Sequence, residues 1–222
     1  MHNASPKKRL FESFARVAKA MASPNRLELL EALAQGERGV DGLAQASGMS
    51  VANTSHHLQI LRDGGLVLSR REGAQIIYRL SDDHIPAILS GIRQIAERQL
   101  AEVERIVRDN FDSRDTLTPV RRAELIDLVH SGEAVVIDVR PPVEYESGHI
   151  PGAVNIPLEQ LAKHLDRLPP GQEVVAYCRG PYCLLAFDAV EELRKRGYRA
   201  RRLEDGFPEW KAEQLPVEGK KD

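Results

Sequence analysis

Apolar residues recur every three or four positions through most of the first half of the chain. In the second half they gather into short runs separated by helical stretches. Phe11, Phe14, Ala15, Ala18 and Met21 keep a helical period. Ser23-Pro24 then predicts a new helix, with a capping residue before a proline at the first helical position. It carries Leu27, Leu30, Leu33 and Ala34 and stops at Gly36. A short helix over Asp41–Ala46 closes at Ser47-Gly48, and another runs from Ser50 to about Arg62, where Asp63-Gly64-Gly65 ends it. Two runs rich in Val, Ile and Tyr, Leu66–Arg71 and Gln75–Leu80, flank Glu72-Gly73-Ala74 and predict a hairpin. After the cap cluster Ser81-Asp82-Asp83, apolar residues from Ile85 to Val107 predict one continuous helix over His84–Asn110, about 40 Å long.

Asp112–Thr118 is polar and aperiodic and predicts a linker. Thr118-Pro119 predicts the start of a helix reaching His130. Beyond it, the apolar run Ala134–Ile137, a loop region, the strand Glu173–Tyr177, a helix Leu184–Arg196, a strand Arg199–Leu203 and a Trp210 segment alternate as in a parallel-sheet α/β domain. The expected organisation is therefore a mainly α domain with one hairpin over 1–111, a linker over 112–118 and an α/β domain over 119–222.

Composition narrows the class. Of 222 residues, 42% are hydrophobic and 29% charged, as in ordinary globular proteins. No run approaches the ~18 apolar residues that span a bilayer. Met1–Leu10 is basic but lacks the apolar core of a secretion signal. These features predict a cytoplasmic protein with no membrane partner. The first 111 residues hold 15 Lys/Arg against 13 Asp/Glu, a mild excess that permits nucleic-acid binding without arguing for it.

Two short helices joined at Ser47-Gly48-Met49 and followed by a hairpin make a winged helix-turn-helix pattern. With Val51, Thr54, Leu58 and Leu61 turned inward, Asn53 and His56 point outward, and His57 and Gln59 flank them. Those groups are candidates for reading base edges. Ser50 and Ser55 are candidates for phosphate contact, and Arg70, Arg71 and Arg79 for wing contacts. Each residue taken singly is equally consistent with a solvated surface. The stretches AKAMASPNRLELLEAL, GLAQASGMSVANTSHHLQILRDGGLV and the hairpin resemble the arsenic-repressor (ArsR) type regulators. The resemblance implies a homodimer formed through the domain's first and last helices, bound to double-stranded operator DNA. The sequence departs from metal-sensing members: Arg38–Leu43 has no cysteine, and the long helix carries only His84. His56 and His57 are adjacent rather than one turn apart. No metal and no cofactor is expected.

The chain's two cysteines share one loop, Cys178-Arg179-Gly180-Pro181-Tyr182-Cys183, between an apolar strand and a helix. A thiol there faces backbone N–H groups and a helix dipole, both of which favour thiolate. Such a pair in a reducing compartment points to catalytic or redox use. Ile137-Asp138-Val139-Arg140 and the run EYESGHIPGAVNIP, with the late Gly206 and Trp210, resemble the rhodanese (sulfurtransferase) domain over about Thr118–Val217. The resemblance implies a central parallel sheet wrapped by helices, and a nucleophilic cysteine at Cys178 that carries sulfur as a persulfide. Arg179 is a candidate for steering an anionic donor, and Gly180 lets backbone approach closely. Asp138, Arg140 and Glu144 are expected to hold loops by ion pairing, and His149 to be a packed residue. Cys183 departs from ordinary members. It either attacks a modified Cys178, leaving a disulfide or sulfur-bridged link, or serves as a small buried hydrophobe.

The combination suggests a sulfur-responsive repressor acted on by reactive sulfur species. The alternative is a sulfurtransferase, using thiosulfate or a persulfide through Cys178, that the DNA-binding half regulates. A third reading has the domain receive sulfur from a donor protein.

Overall fold

The computed structural model describes residues 5–115 and 117–219. The first four residues of the segment that does not read as a secretion signal, linker position 116 and the last three residues of the expected 119–222 domain lie outside it. The chain divides into two compact units between Leu89 and Ser90.

In the first unit, α1 (Pro6–Met21) is capped by Ser5 Oγ, which accepts from the Lys8 N–H. Helix α2 (Pro24–Ala34) follows Ser23. That serine sits at the cap position without a side-chain capping bond. The turn is held instead by Arg26, whose Nε donates to the Ala20 carbonyl at 2.6 Å. A two-residue strand β1 (Arg38–Gly39), too short for a periodic signal, precedes α3 (Val40–Ser47). Gly48 then takes φ 65° and turns the chain into α4 (Val51–Asp63). A left-handed residue between two helices is where glycine costs least. Strands β2 (Val67–Glu72) and β3 (Gln75–Leu80) form the hairpin, and β1 pairs with β3, so the antiparallel sheet runs β1-β3-β2. Leu29, Leu30, Leu43, Leu58, Leu61 and Val67 are fully buried in one core.

The sequence predicts one helix over His84–Asn110; the structure breaks it. Helix α5 (Ile85–Gln99) stops at Leu100, which is extended at φ −111° and ψ 103°. Helix α6 (Ala101–Val107) and a π-helical turn, Arg108–Asp112, follow. Neither proline nor glycine stands at the break, so local propensity does not cause it. Residues on either side of the break meet one partner within the second unit: Glu97 and Phe111 both contact Tyr182.

The second unit continues with α7 (Arg122–His130), β4 (Ala134–Asp138), α8 (Pro142–Ser147), β5 (Val154–Asn155) and α9 (Leu158–Leu161). Then come β6 (Glu173–Tyr177), α10 (Leu184–Lys195), β7 (Ala200–Arg202) and α11 (Phe207–Ala212). The helix expected from Pro119 begins at Arg122 because Val120 joins the sheet edge. Val120 donates to the Arg202 carbonyl and accepts from the Glu204 N–H, both at 2.9 Å. Within the stretch read as a linker, Asp115 is an internal ion-pair partner, 2.9 Å from Arg194.

All four strands are parallel, in the order β5-β4-β6-β7. The chain winds outward in opposite directions from the central pair β4–β6. The crevice beyond the carboxyl ends of such a pair is where open α/β sheets place their sites. Strand alternation sorts β6 between two cores. Val174 and Ala176 face one with α10's Ala189 and Val190, and Cys178 continues that alternation. Val175 and Tyr177 face the other with Phe207 and Trp210. No helix among the described residues is long and apolar enough to cross a membrane.

Candidate functional site

Cys178 follows β6 at the carboxyl end of the central strand pair and is 1% exposed. Cys183 is the cap residue of α10. The two are joined in a disulfide with Cα atoms 6.2 Å apart, the ordinary reach of such a bond. The Cys183 N–H donates to the Gly180 carbonyl at 3.1 Å, and the Cys178 carbonyl accepts from the Phe207 N–H at 3.1 Å. The loop is therefore closed both covalently and by backbone.

Its bed is built from charged residues out of water. Asp138 and Arg140 are both fully buried. Arg140 donates from Nε at 3.0 Å and Nη2 at 2.5 Å to Asp138, and from Nη2 to the Gly148 carbonyl at 2.8 Å. Its guanidinium lies 4.5 Å from the Phe207 ring centroid. Burial works against its charge, but the Asp138 carboxylate outweighs burial and raises the Arg140 pKa. Glu144 on α8 is buried and grips Arg179 by Nε at 3.0 Å and Nη2 at 2.6 Å. Arg179 is thus tied to the scaffold while remaining partly exposed.

Gly206 closes the loop from the other side. A Cβ there would lie 2.3 Å from the Gly180 nitrogen, so only glycine lets the two backbones meet. The Tyr182 hydroxyl donates to the Glu97 carboxylate, and its ring lies 4.9 Å from that of Phe111. Burial and then the Glu97 bond and charge push the Tyr182 phenol above its ordinary range, so it is a neutral donor. Pro181 lines the same cavity of about 490 Å³ as Tyr182 and Phe111. His149 is nearly buried, stacked 3.6 Å from Tyr145 and bonded to the Tyr145 carbonyl at 2.9 Å. Glu97 and Phe111 were not singled out from the sequence. The signal available was a lone aromatic, Phe111, heading a polar stretch.

In the first unit, Asn53, Ser55, His56 and Gln59 are exposed on α4. Ser50 Oγ accepts from the Asn53 N–H at 3.3 Å and caps the helix, a role that uses the oxygen as acceptor and leaves its O–H able to donate. Gln59 bridges Arg62 at 2.6 Å and Asp63 at 2.7 Å. His57 is half-buried and bonds Asn25 of α2 at 3.2 Å. Burial, then Arg26 and His56, lower its pKa. Val51, expected inward, is exposed in the first turn; Met49 packs against the core in its place. On the hairpin, Arg70 pairs with Glu37 and Glu72. Arg71 donates to the Gly73 carbonyl at 3.2 Å and Arg79 to the Leu80 carbonyl at 3.3 Å.

A winged helix-turn-helix unit, followed by a parallel-sheet unit with a cysteine loop at its central carboxyl edge, defines a transcriptional regulator joined to a rhodanese-type domain. The family model for bacterial regulatory proteins of the arsR family matches residues 23–69, and that for the rhodanese-like domain matches 121–213. The chain is 43% identical over 210 residues to the HTH-type transcriptional regulator Rv0324 of Mycobacterium tuberculosis, covering 94% of this chain and 92% of that one. The homodimeric winged helix-turn-helix domain Mb0332 (fragment 1–100) of Mycobacterium bovis is 37% identical. It covers 46% of this chain and 94% of its own, with a TM-score of 0.41. A rhodanese-related protein of Thermoplasma volcanium is 26% identical, covering 47% of this chain and all of its own, with a TM-score of 0.42. The chain belongs to the ArsR-type HTH transcriptional regulators, in the form that carries a C-terminal rhodanese domain.

Proposed function

We propose that this regulator is a cytoplasmic, homodimeric repressor that releases operator DNA when reactive sulfur species act on Cys178 and Cys183. The observation that carries the reading is that all the cysteine of the chain lies in one loop, paired, at the sheet position where rhodanese domains keep their nucleophile. The chemistry balances without a further oxidant. The Cys178 thiolate takes the outer sulfur of a persulfide RSSH, giving Cys178–SSH and RSH. The Cys183 thiolate then attacks the Cys178 sulfur, forming the disulfide and expelling the outer sulfur as hydrogen sulfide. Two thiols are oxidised and one sulfane sulfur is reduced. Exposed apolar residues on α1 (Leu10, Phe11, Phe14) support the dimer reading.

A mobility shift on the DNA upstream of the protein's own gene tests this. Reduced protein binds, and polysulfide-treated protein releases; Cys183→Ser stays bound after polysulfide treatment. Retention of the response in a variant lacking both thiols overturns the proposal. The sturdy loop bed, with Arg179 held at its mouth, favours sulfurtransferase activity as the second reading. Fast turnover of thiosulfate with a thiol or cyanide acceptor, indifferent to Cys183→Ser, selects it.

A further inference from the structure

Helix α5 has two unlike faces. Ile88, Ile92 and Ile95 are exposed. Arg93 and Glu97, one turn apart, contact each other at 3.5 Å and both face the cysteine loop's surroundings. From Arg93 the contacts run to Glu209 at 2.8 Å, and from Glu209 to the Gly206 N–H at 3.1 Å. Gly206 is the residue packed on Gly180. From Glu97 the contact runs to the Tyr182 hydroxyl, next to Cys183. The end of α5 thus grips the loop at two points, one either side of Pro181.

We propose that Tyr182 is a positioning residue that transmits the state of the Cys178–Cys183 pair to α5, through its hydrogen bond to Glu97 and its ring contact with Phe111. This rests on the sulfur-responsive reading and names its regulatory route. In the closed loop the neighbour of Tyr182 is covalently tied to Cys178, so the phenol is held where Glu97 accepts from it. Cleaving the bond removes the covalent hold on residue 183, and so on its neighbour 182, leaving the backbone bond from the Cys183 N–H to Gly180 and the anchor of Arg179 on Glu144. Coupling is reciprocal: if the clamp favours the disulfide, losing the clamp makes the disulfide easier to reduce. A hydrogen bond to a charged acceptor is worth about tenfold in such an equilibrium.

The experiment is hydrogen exchange by mass spectrometry on the full-length protein, reduced or closed with diamide, which takes the two electrons and two protons of the thiols. The wild type is compared with Tyr182→Phe, which keeps the ring, and Glu97→Gln, which keeps the shape. Closing the disulfide should slow exchange of peptides covering 93–100 about tenfold in the wild type and less than twofold in either variant. The midpoint potential of the pair should rise by about 30 mV in Tyr182→Phe, the equivalent of tenfold for two electrons. An α5 response equal in wild type and variants, or none in the wild type, overturns the clamp. A mobility shift run beside it separates the two claims. An intact α5 response with unchanged operator affinity supports the clamp and sinks sulfur-controlled DNA release.

Discussion

Arg140→Met removes the cation from a pair with no access to water. Asp138 is left as an uncompensated buried carboxylate, and the Gly148 carbonyl loses its donor. Breaking a buried pair from one side costs about 3–5 kcal/mol. At about 2–4 °C per kcal/mol for a chain of this size, the second unit should melt roughly 10 °C earlier. Trp210 is the chain's one tryptophan and is buried beside Phe207, so urea unfolding followed by its fluorescence reads this unit specifically. The double variant Asp138→Asn/Arg140→Met is the control. The introduced amide oxygen can keep the 2.9 Å bond from the residue-140 main-chain N–H, and neither position 138 nor 140 then buries a charge. It should recover at least about 1 kcal/mol over Arg140→Met alone. A loss below about 1 kcal/mol for the single change, or no recovery in the double, refutes the argument that the pair's cost lies in its desolvated charge.

Four further outcomes are expected. Gly206→Ala forces its Cβ into the Gly180 backbone and should slow disulfide closure by polysulfide at least about tenfold, read as intact mass against time. His57 has a depressed pKa in the folded state, so the unfolded chain binds its proton more readily. Its contribution to stability is present above about pH 6.5 and is lost as pH falls below that. An NMR titration should place the His57 midpoint below 6.5, and His57→Gln should flatten the acid limb of the DNA-binding unit's stability. Asn53→Ala should cost about 1–3 kcal/mol on operator and relax one base position. Arg71→Ala should instead weaken all sequences alike and lower the salt slope by about one; equal loss on random DNA for Asn53→Ala refutes its reading role.

Much of this architecture was legible in side-chain order. Helical spacing of leucines placed α2 and α4, and Gly48 marked the turn between them. Two apolar strands alternating with helices announced the parallel sheet. The cysteine loop was readable because both thiols lie five residues apart at a strand-to-helix junction. The break at Leu100 was not readable, since every local preference there favours a helix. Nor was the strand contact of Val120, where a Thr-Pro pair mimics a helix start.

What the amino-acid order determined by itself was therefore short-range: periods, caps, turns and the proximity of Cys178 to Cys183. Tertiary structure alone decided which distant groups share a neighbourhood. Glu97 meets Tyr182 across 85 positions, and Asp115 meets Arg194 across 79. Periodicity carries a residue's face but not the partner that face will find. Burial then makes that partner decisive, because a charge or phenol removed from water is stable only beside its complement.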